Sequence, residues 1–213
     1  MTEIFDKDCR QCPRLATFLD AVAEKQPGYY CRPVPPFGDR QAHLLIVGLA
    51  PGKHGANRTG RPFTGDYAGV LLYQTLHKFG FASLPESLAA DDPLELLDCR
   101  ITNAVKCLPP DNKPVGAEVN NCLRFLRNEL GTLPRGSLVL ALGGIAHRAI
   151  VKAMSGRQAD YKFGHAAEHQ FAGYFTLLDS YHCSRYNTNT RRLTTEMFET
   201  VLARARDLVS QAQ

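Results

Sequence analysis

Apolar runs that alternate with helical patterns constrain this chain more than any other feature. His43-Leu44-Leu45-Ile46-Val47-Gly48-Leu49 runs into a loop rich in glycine and polar residues, Ala50 to Asp66. Leu72, Leu76 and Phe79 follow at the i, i+4, i+7 spacing of a helix face. A second run, Arg100-Ile101-Thr102-Asn103-Ala104-Val105, leads past Pro109, Pro110 and Pro114 to another helix. That helix carries Val119, Cys122, Leu123, Leu126 and Leu130 on one face and is stopped by Gly131. Leu138-Val139-Leu140-Ala141-Leu142 passes through Gly143-Gly144 into a helix bearing Ile150 and Met154, and Tyr174-Phe175-Thr176-Leu177-Leu178 is the last run. The final helix is predicted from near Thr194, its N-cap, with Leu193 and Phe198 as a hydrophobic staple.

Strands this uniformly apolar are covered on both faces. The pattern therefore predicts an α/β fold, a three-layer α/β/α sandwich around a parallel, four-stranded sheet. At 213 residues the expectation is a single domain over residues 1–213. Ligands of such sheets bind beyond the carboxyl ends of the strands. The segments there are Ala50–Asp66, Asn103–Cys107, Gly143–Gly144 and Ser180–Arg192.

The loop from Gly48 to Asp66 contains glycines that let backbone approach a ligand, and Asp66 opens a helix. It matches neither a Walker A loop nor G-x-G-x-x-G. On glycine content alone it reads as an unspecified phosphate or nucleotide loop. Taken singly, Asp66 reads as an N-cap, Phe63 as a core ring, Asn103 as a turn former and His182 as structural.

Hydrophobic residues at 44% and charged residues at 22% describe an ordinary globule. A formal charge of +4 suits a polyanionic partner without requiring one. The acidic start, Met1 to Asp8, has no apolar run and is expected not to be a secretory signal. No stretch approaches the roughly 20 apolar residues of a membrane span, so a cytoplasmic home is expected. Seven cysteines are then unlike a disulfide framework. Cys9-Arg10-Gln11-Cys12 is a C-x-x-C, and Cys107 and Cys122 flank the proline-rich loop. Four such thiolates suit either zinc or a [4Fe–4S] cluster, and spacing does not separate the two. Cys31, Cys99 and Cys183 read as ordinary thiols.

The segment Gly48-Leu49-Ala50-Pro51-Gly52-Lys53-His54-Gly55-Ala56-Asn57-Arg58-Thr59-Gly60-Arg61-Pro62-Phe63-Thr64-Gly65-Asp66 resembles the first motif of the uracil-DNA glycosylase superfamily, in the form of its type-b branch (the fifth family). Tyr181-His182-Cys183-Ser184, continuing to Asn187, Thr188, Thr190, Arg192, Leu193 and Thr194, resembles the second. Thr102 to Cys107 is similar to the strand end that recognises the base. Cys183 departs from the proline many members carry after the histidine, and so loosens the turn that places His182.

The resemblance implies an α/β/α sandwich and a DNA-repair enzyme that flips out uracil, and other deaminated bases such as hypoxanthine, and hydrolyses the N-glycosidic bond. Asp66 would activate water and His182 would steady the departing base. Phe63 would stack on the base and Asn103 would read its edge, with Gly48, Ala50 and Gly65 lining the pocket. Arg58, Arg61, Ser184, Arg185, Asn187 and Arg192 would meet the DNA. Lys53, His54 and Asn57 would shape the rim. Cys9, Cys12, Cys107 and Cys122 would hold a structural [4Fe–4S] cluster, and no catalytic cofactor is implied. The partner is damaged DNA, single- or double-stranded, with no membrane, and a monomer is assumed. The rival readings are a non-catalytic Cys₄ nucleic-acid-binding protein and another hydrolase or phosphoribosyl-binding enzyme on the same sheet.

Overall fold

The computed structural model describes residues 4–212. Residues 1–3 of the acidic start, and residue 213, lie outside the described residues. The four apolar runs form the strands β2 (Leu44–Gly48), β3 (Cys99–Asn103), β4 (Ser137–Leu142) and β6 (Phe175–Ser180), all mutually parallel. The sheet has six strands rather than the four expected, in the order β1-β3-β2-β4-β6-β5. The two additions are antiparallel edges, β1 (Phe37–Gly38) and β5 (Glu168–Phe171). Both are short and half-exposed, so neither has the continuous apolar signature of the inner strands.

Side chains alternate across each strand, so one run feeds two cores. Leu138, Leu140 and Leu142 face Leu72, Leu76, Phe198 and Leu202. These come from α3 (Tyr67–Lys78), which follows the one-turn α2 (Ala56–Thr59), and from α7 (Thr195–Ala212). Val139 and Ala141 face Leu123, Leu126, Ala146 and Ile150 of α4 (Gly116–Leu130) and α5 (Gly144–Ala153). Each fully buried leucine or isoleucine contributes about 1.5–3 kcal/mol relative to exposure, which makes these two layers the main support of the sheet. Thr194 does cap α7, its Oγ1 accepting the Met197 amide at 3.2 Å.

The helix α1 (Pro13–Lys25) was not anticipated. Proline at its first position is favourable, and Leu15, Leu19 and Val22 pack on Val105, Leu108 and Cys122. Arg14 adds a two-pronged ion pair to Glu118, at 2.7 and 2.8 Å, fastening α1 to α4. Among the described residues no helix is long and apolar enough to cross a membrane.

Candidate active site

The carboxyl ends of β2, β3, β4 and β6 surround one cavity of about 470 Å³. All four anticipated loops reach it: Ala50, Phe63 and Asp66; Asn103; Gly143 and Gly144; Tyr181, His182, Ser184, Asn187 and Arg192. Pairing in the sheet sets Gly48 beside Asn103. A Cβ on Gly48 would sit 2.5 Å from Asn103 Oδ1 and 2.7 Å from Phe63 Cζ, so only glycine lets these side chains reach the strand end.

Asp66 caps α3, its Oδ1 accepting the Gly69 amide at 3.1 Å. Its second oxygen is left facing Gly52 and Gly55, the latter so near that a Cβ there would fall 2.1 Å from Oδ2. Capping therefore engages Oδ1, while Oδ2 faces the turn at Gly52 and Gly55. Burial pushes the Asp66 carboxyl above the usual carboxylate range, against the pull of the Gly69 and Ala68 amides. On the wall with it, burial holds the His182 imidazole down to about 4, so it is neutral at physiological pH. His182 Nδ1 is buried and has no hydrogen-bond partner, and Asn103 Oδ1 is likewise buried and unpaired. The Asn187 amide donates to the His182 carbonyl at 2.8 Å, holding the loop that carries it. Ser184 caps the short helix α6 (Arg185–Asn189). Phe63 sits at φ +53°, a strained backbone for an aromatic residue, with its ring on the cavity wall.

Residues 35–206 match the family described as the uracil DNA glycosylase superfamily. The chain belongs to the uracil DNA glycosylase superfamily. It is 47% identical over 205 residues to the type-5 uracil-DNA glycosylase of Thermus thermophilus, covering 94% of this chain and 93% of that one. It is 42% identical over 202 residues to the type-5 enzyme of Pyrobaculum aerophilum, with 93% and 88% covered. It is 41% identical over 210 residues to the type-5 enzyme of Mycobacterium leprae, with 94% and 91% covered.

Several residues of this superfamily member lie elsewhere than the sequence led one to expect. Arg61 is the clearest correction. It is 8% exposed, ion-paired to Asp92, bonded to the Ala90 carbonyl and to Ser87 Oγ at 3.3 Å, and stacked 4.3 Å from the Phe37 ring centre. Its charge supports the loop rather than facing DNA. Asn57 is fully buried, its amide 3.5 Å from Cys31 Sγ, so it braces the loop from behind instead of forming the rim. Gly48 and Gly65 do not line the cavity. Gly65 borders an adjoining groove with Arg58, Tyr67 and Arg185. Arg192 does line the cavity, its guanidinium 4.8 Å from the Tyr181 ring centre.

Phe163, Tyr181 and Asn112 line the cavity without having been singled out. Tyr181 stands in the quoted motif next to His182, which was a usable signal. Phe163 lies in a stretch with neither motif nor periodicity.

Cys9, Cys12, Cys107 and Cys122 all border one small recess between α1 and α4. Cys107 and Cys122 are buried and the other two half-buried. Among the described residues, the one trio of metal-binding side chains with donor atoms within 4.8 Å of one another is His147, His169 and Asp179.

Proposed function

We propose that this chain excises uracil from DNA by hydrolysing the bond between the base and C1′ of its deoxyribose, leaving an abasic site. One observation carries the reading: a single cavity presents a desolvated carboxylate, a neutral imidazole, an aromatic ring and an unpaired asparagine oxygen. Its volume of about 470 Å³ is in the ordinary range for a small-molecule pocket.

In this reading an extruded uracil stacks on Phe63. Asn103 Oδ1 accepts the N3–H and its amide donates to O4, a pairing that cytosine, with no N3–H, does not complete. As the C1′–N1 bond breaks, the sugar gains oxocarbenium character and the base takes the electron pair. Asp66 orients a water and takes its proton, while the water oxygen bonds to C1′. His182 donates a hydrogen bond to O2 of the departing base, which is where negative charge grows. A neutral imidazole can do this without being an acid. The reading extends to hypoxanthine, for which a cavity of this size has room.

The four cysteines fit a [4Fe–4S] cluster as donor set and by placement, since the segment leading into α1, the loop after β3 and α4 bring them to one recess. When bound, the cluster supplies a structural tie and no step of hydrolysis. DNA contacts fall to Arg58, Arg185 and Arg192 with Ser184 and Asn187. We read the chain as one domain over residues 1–213, acting as a monomer in the cytoplasm.

The test is an oligonucleotide carrying one uracil, opposite guanine or in a single strand, incubated with the protein and then with alkali. Scission at the uracil is the expected result. An intact strand at high protein excess, on both substrates, sinks the reading.

A further inference from the structure

One wall of the cavity is Phe163, in the stretch 161–167 between α5 and β5. That stretch lies along the end of β6. The Ala166 amide donates to the Asp179 carbonyl at 2.8 Å, and the Asp179 amide donates to the Ala167 carbonyl at 2.9 Å.

Beneath it is a buried pair of charges. Asp179, fully buried, stands on β6 three positions before His182. Its Oδ1 lies 2.8 Å from Nδ1 of His147, itself fully buried in α5. The other ring nitrogen, Nε2, lies 2.9 Å from the Tyr161 carbonyl oxygen. A carboxylate and a carbonyl only accept, so with Asp179 ionised the ring makes both hydrogen bonds only as an imidazolium that carries both protons. Asp179 Oδ2 accepts the Gly164 amide at 3.4 Å and lies 3.5 Å from His169 Nε2. Arg148 is the remaining charge that acts on His147.

The same stretch meets the catalytic loop. The Phe163 ring packs 5.6 Å from the His147 ring and 6.2 Å from that of Tyr181. The His165 ring stacks on Tyr181 at 5.0 Å, and its Nδ1 accepts the Tyr181 amide at 3.2 Å.

We propose that the His147–Asp179 pair is a positioning device for base excision: it clamps residues 161–167 to the end of β6 and so fixes Phe163 on the cavity wall. Removing either charge strands the other inside the protein, which opens the stretch to water and releases the ring. The proposal rests on the cavity being the base site.

The experiment compares Asp179→Asn, Phe163→Ala and the double variant. It measures single-turnover excision from a G·U duplex and affinity for a duplex bearing a tetrahydrofuran abasic analogue, which places no base in the cavity. Each single variant is expected to slow excision at least tenfold and to change abasic-analogue affinity less than twofold. Adding Asp179→Asn to Phe163→Ala is expected to slow excision less than twofold further, because the pair acts through that ring. Multiplying losses overturn the proposal, as do wild-type rates in either single variant, or equal losses of rate and affinity. Where Asp179→Asn does not fold, His147→Gln takes its place in the cycle under the same criteria, keeping an amide donor without the charge. Stoichiometric zinc in the wild type, lost in His169→Ala, also overturns it by making the trio a metal site. A wild-type protein without uracil excision in the same assay refutes the base-site reading instead.

Discussion

The Phe63 ring centre lies 5.9 Å from that of His182, with the two rings tilted by 30°, so the imidazole shares its side of the cavity with an aromatic face. Such company strips water from the imidazole and pushes its pKa down to about 4. Excision is therefore expected to show no step near the ordinary imidazole value of about 6.5. Stability carries the opposite signature. The fold favours the neutral ring, so the protein loses stability as pH falls from about 6.5 towards 4, by up to about 3 kcal/mol from this residue. Thermal unfolding across that window should show a smaller acid loss in His182→Ala, whose excision falls by about 10²–10³-fold. A rate limb at 6.5 that vanishes in His182→Gln would count against a neutral donor.

Arg61 and Arg185 stand at opposite ends of one distinction. The first is spent on Asp92 and the Phe37 ring; the second is exposed, its guanidinium 4.9 Å from the Tyr67 ring centre beside the groove. Arg61→Ala is expected to cost about 2–4 kcal/mol of stability, near the lower end for breaking a buried pair because Asp92 keeps some exposure. Its DNA affinity should keep the wild-type salt dependence. Arg185→Ala should leave the melting temperature nearly unchanged and flatten the slope of log affinity against log salt by about 0.9 on duplex DNA. Denaturation and fluorescence anisotropy over a salt series measure both; a reversal of the two phenotypes refutes the assignment.

How much of this was legible beforehand follows from which signals are local. The apolar continuity of Leu44–Gly48 and Ser137–Leu142 reports burial on both faces, so the inner sheet could be read directly. The edges β1 and β5 form by pairing with distant strands and leave no comparable mark. Residues in the motif loops arrived at the cavity because the parallel sheet places those loops at one end. The direction of a side chain within a loop is a tertiary outcome, which is why Arg58 and Arg61, three positions apart, part company. His147 and Asp179 carry no local mark in the sequence, since their meaning lies only in a contact across 32 positions.

The cysteine recess predicts a division between metal and fold. Cys122→Ser should lower both iron content and visible absorbance in protein purified without air. Loosening of the segment ahead of α1, which carries Cys9 and Cys12, should follow, read as faster proteolysis between residues 4 and 12. The Arg14–Glu118 pair and the packing of Leu15 and Leu19 still hold that helix to the domain, so the sheet should stay folded. Zinc in place of iron, with unchanged spectra on mutation, would replace the cluster in this account.

Asp66 has two oxygens in two environments, and substitutions can address them separately. Asparagine caps helices as well as aspartate does, so Asp66→Asn should keep α3 and the melting temperature while excision falls by about 10²–10⁴-fold. Gly55→Ala attacks from the other side. The added methyl would lie 2.1 Å from Oδ2 and 2.6 Å from Cγ, so the carboxylate must move off the water it is to activate. A displacement of about 1 Å is enough to lower the rate by roughly 10²-fold with the charge still present. The rate itself must rise with pH as Asp66 loses its proton, and because burial raises that pKa the limb should lie above the ordinary value of about 3.9. Single-turnover rates for wild type, Asp66→Asn and Gly55→Ala over a pH series read all three effects. Full activity in Gly55→Ala would mean that the oxygen facing Gly55 takes no part in the reaction.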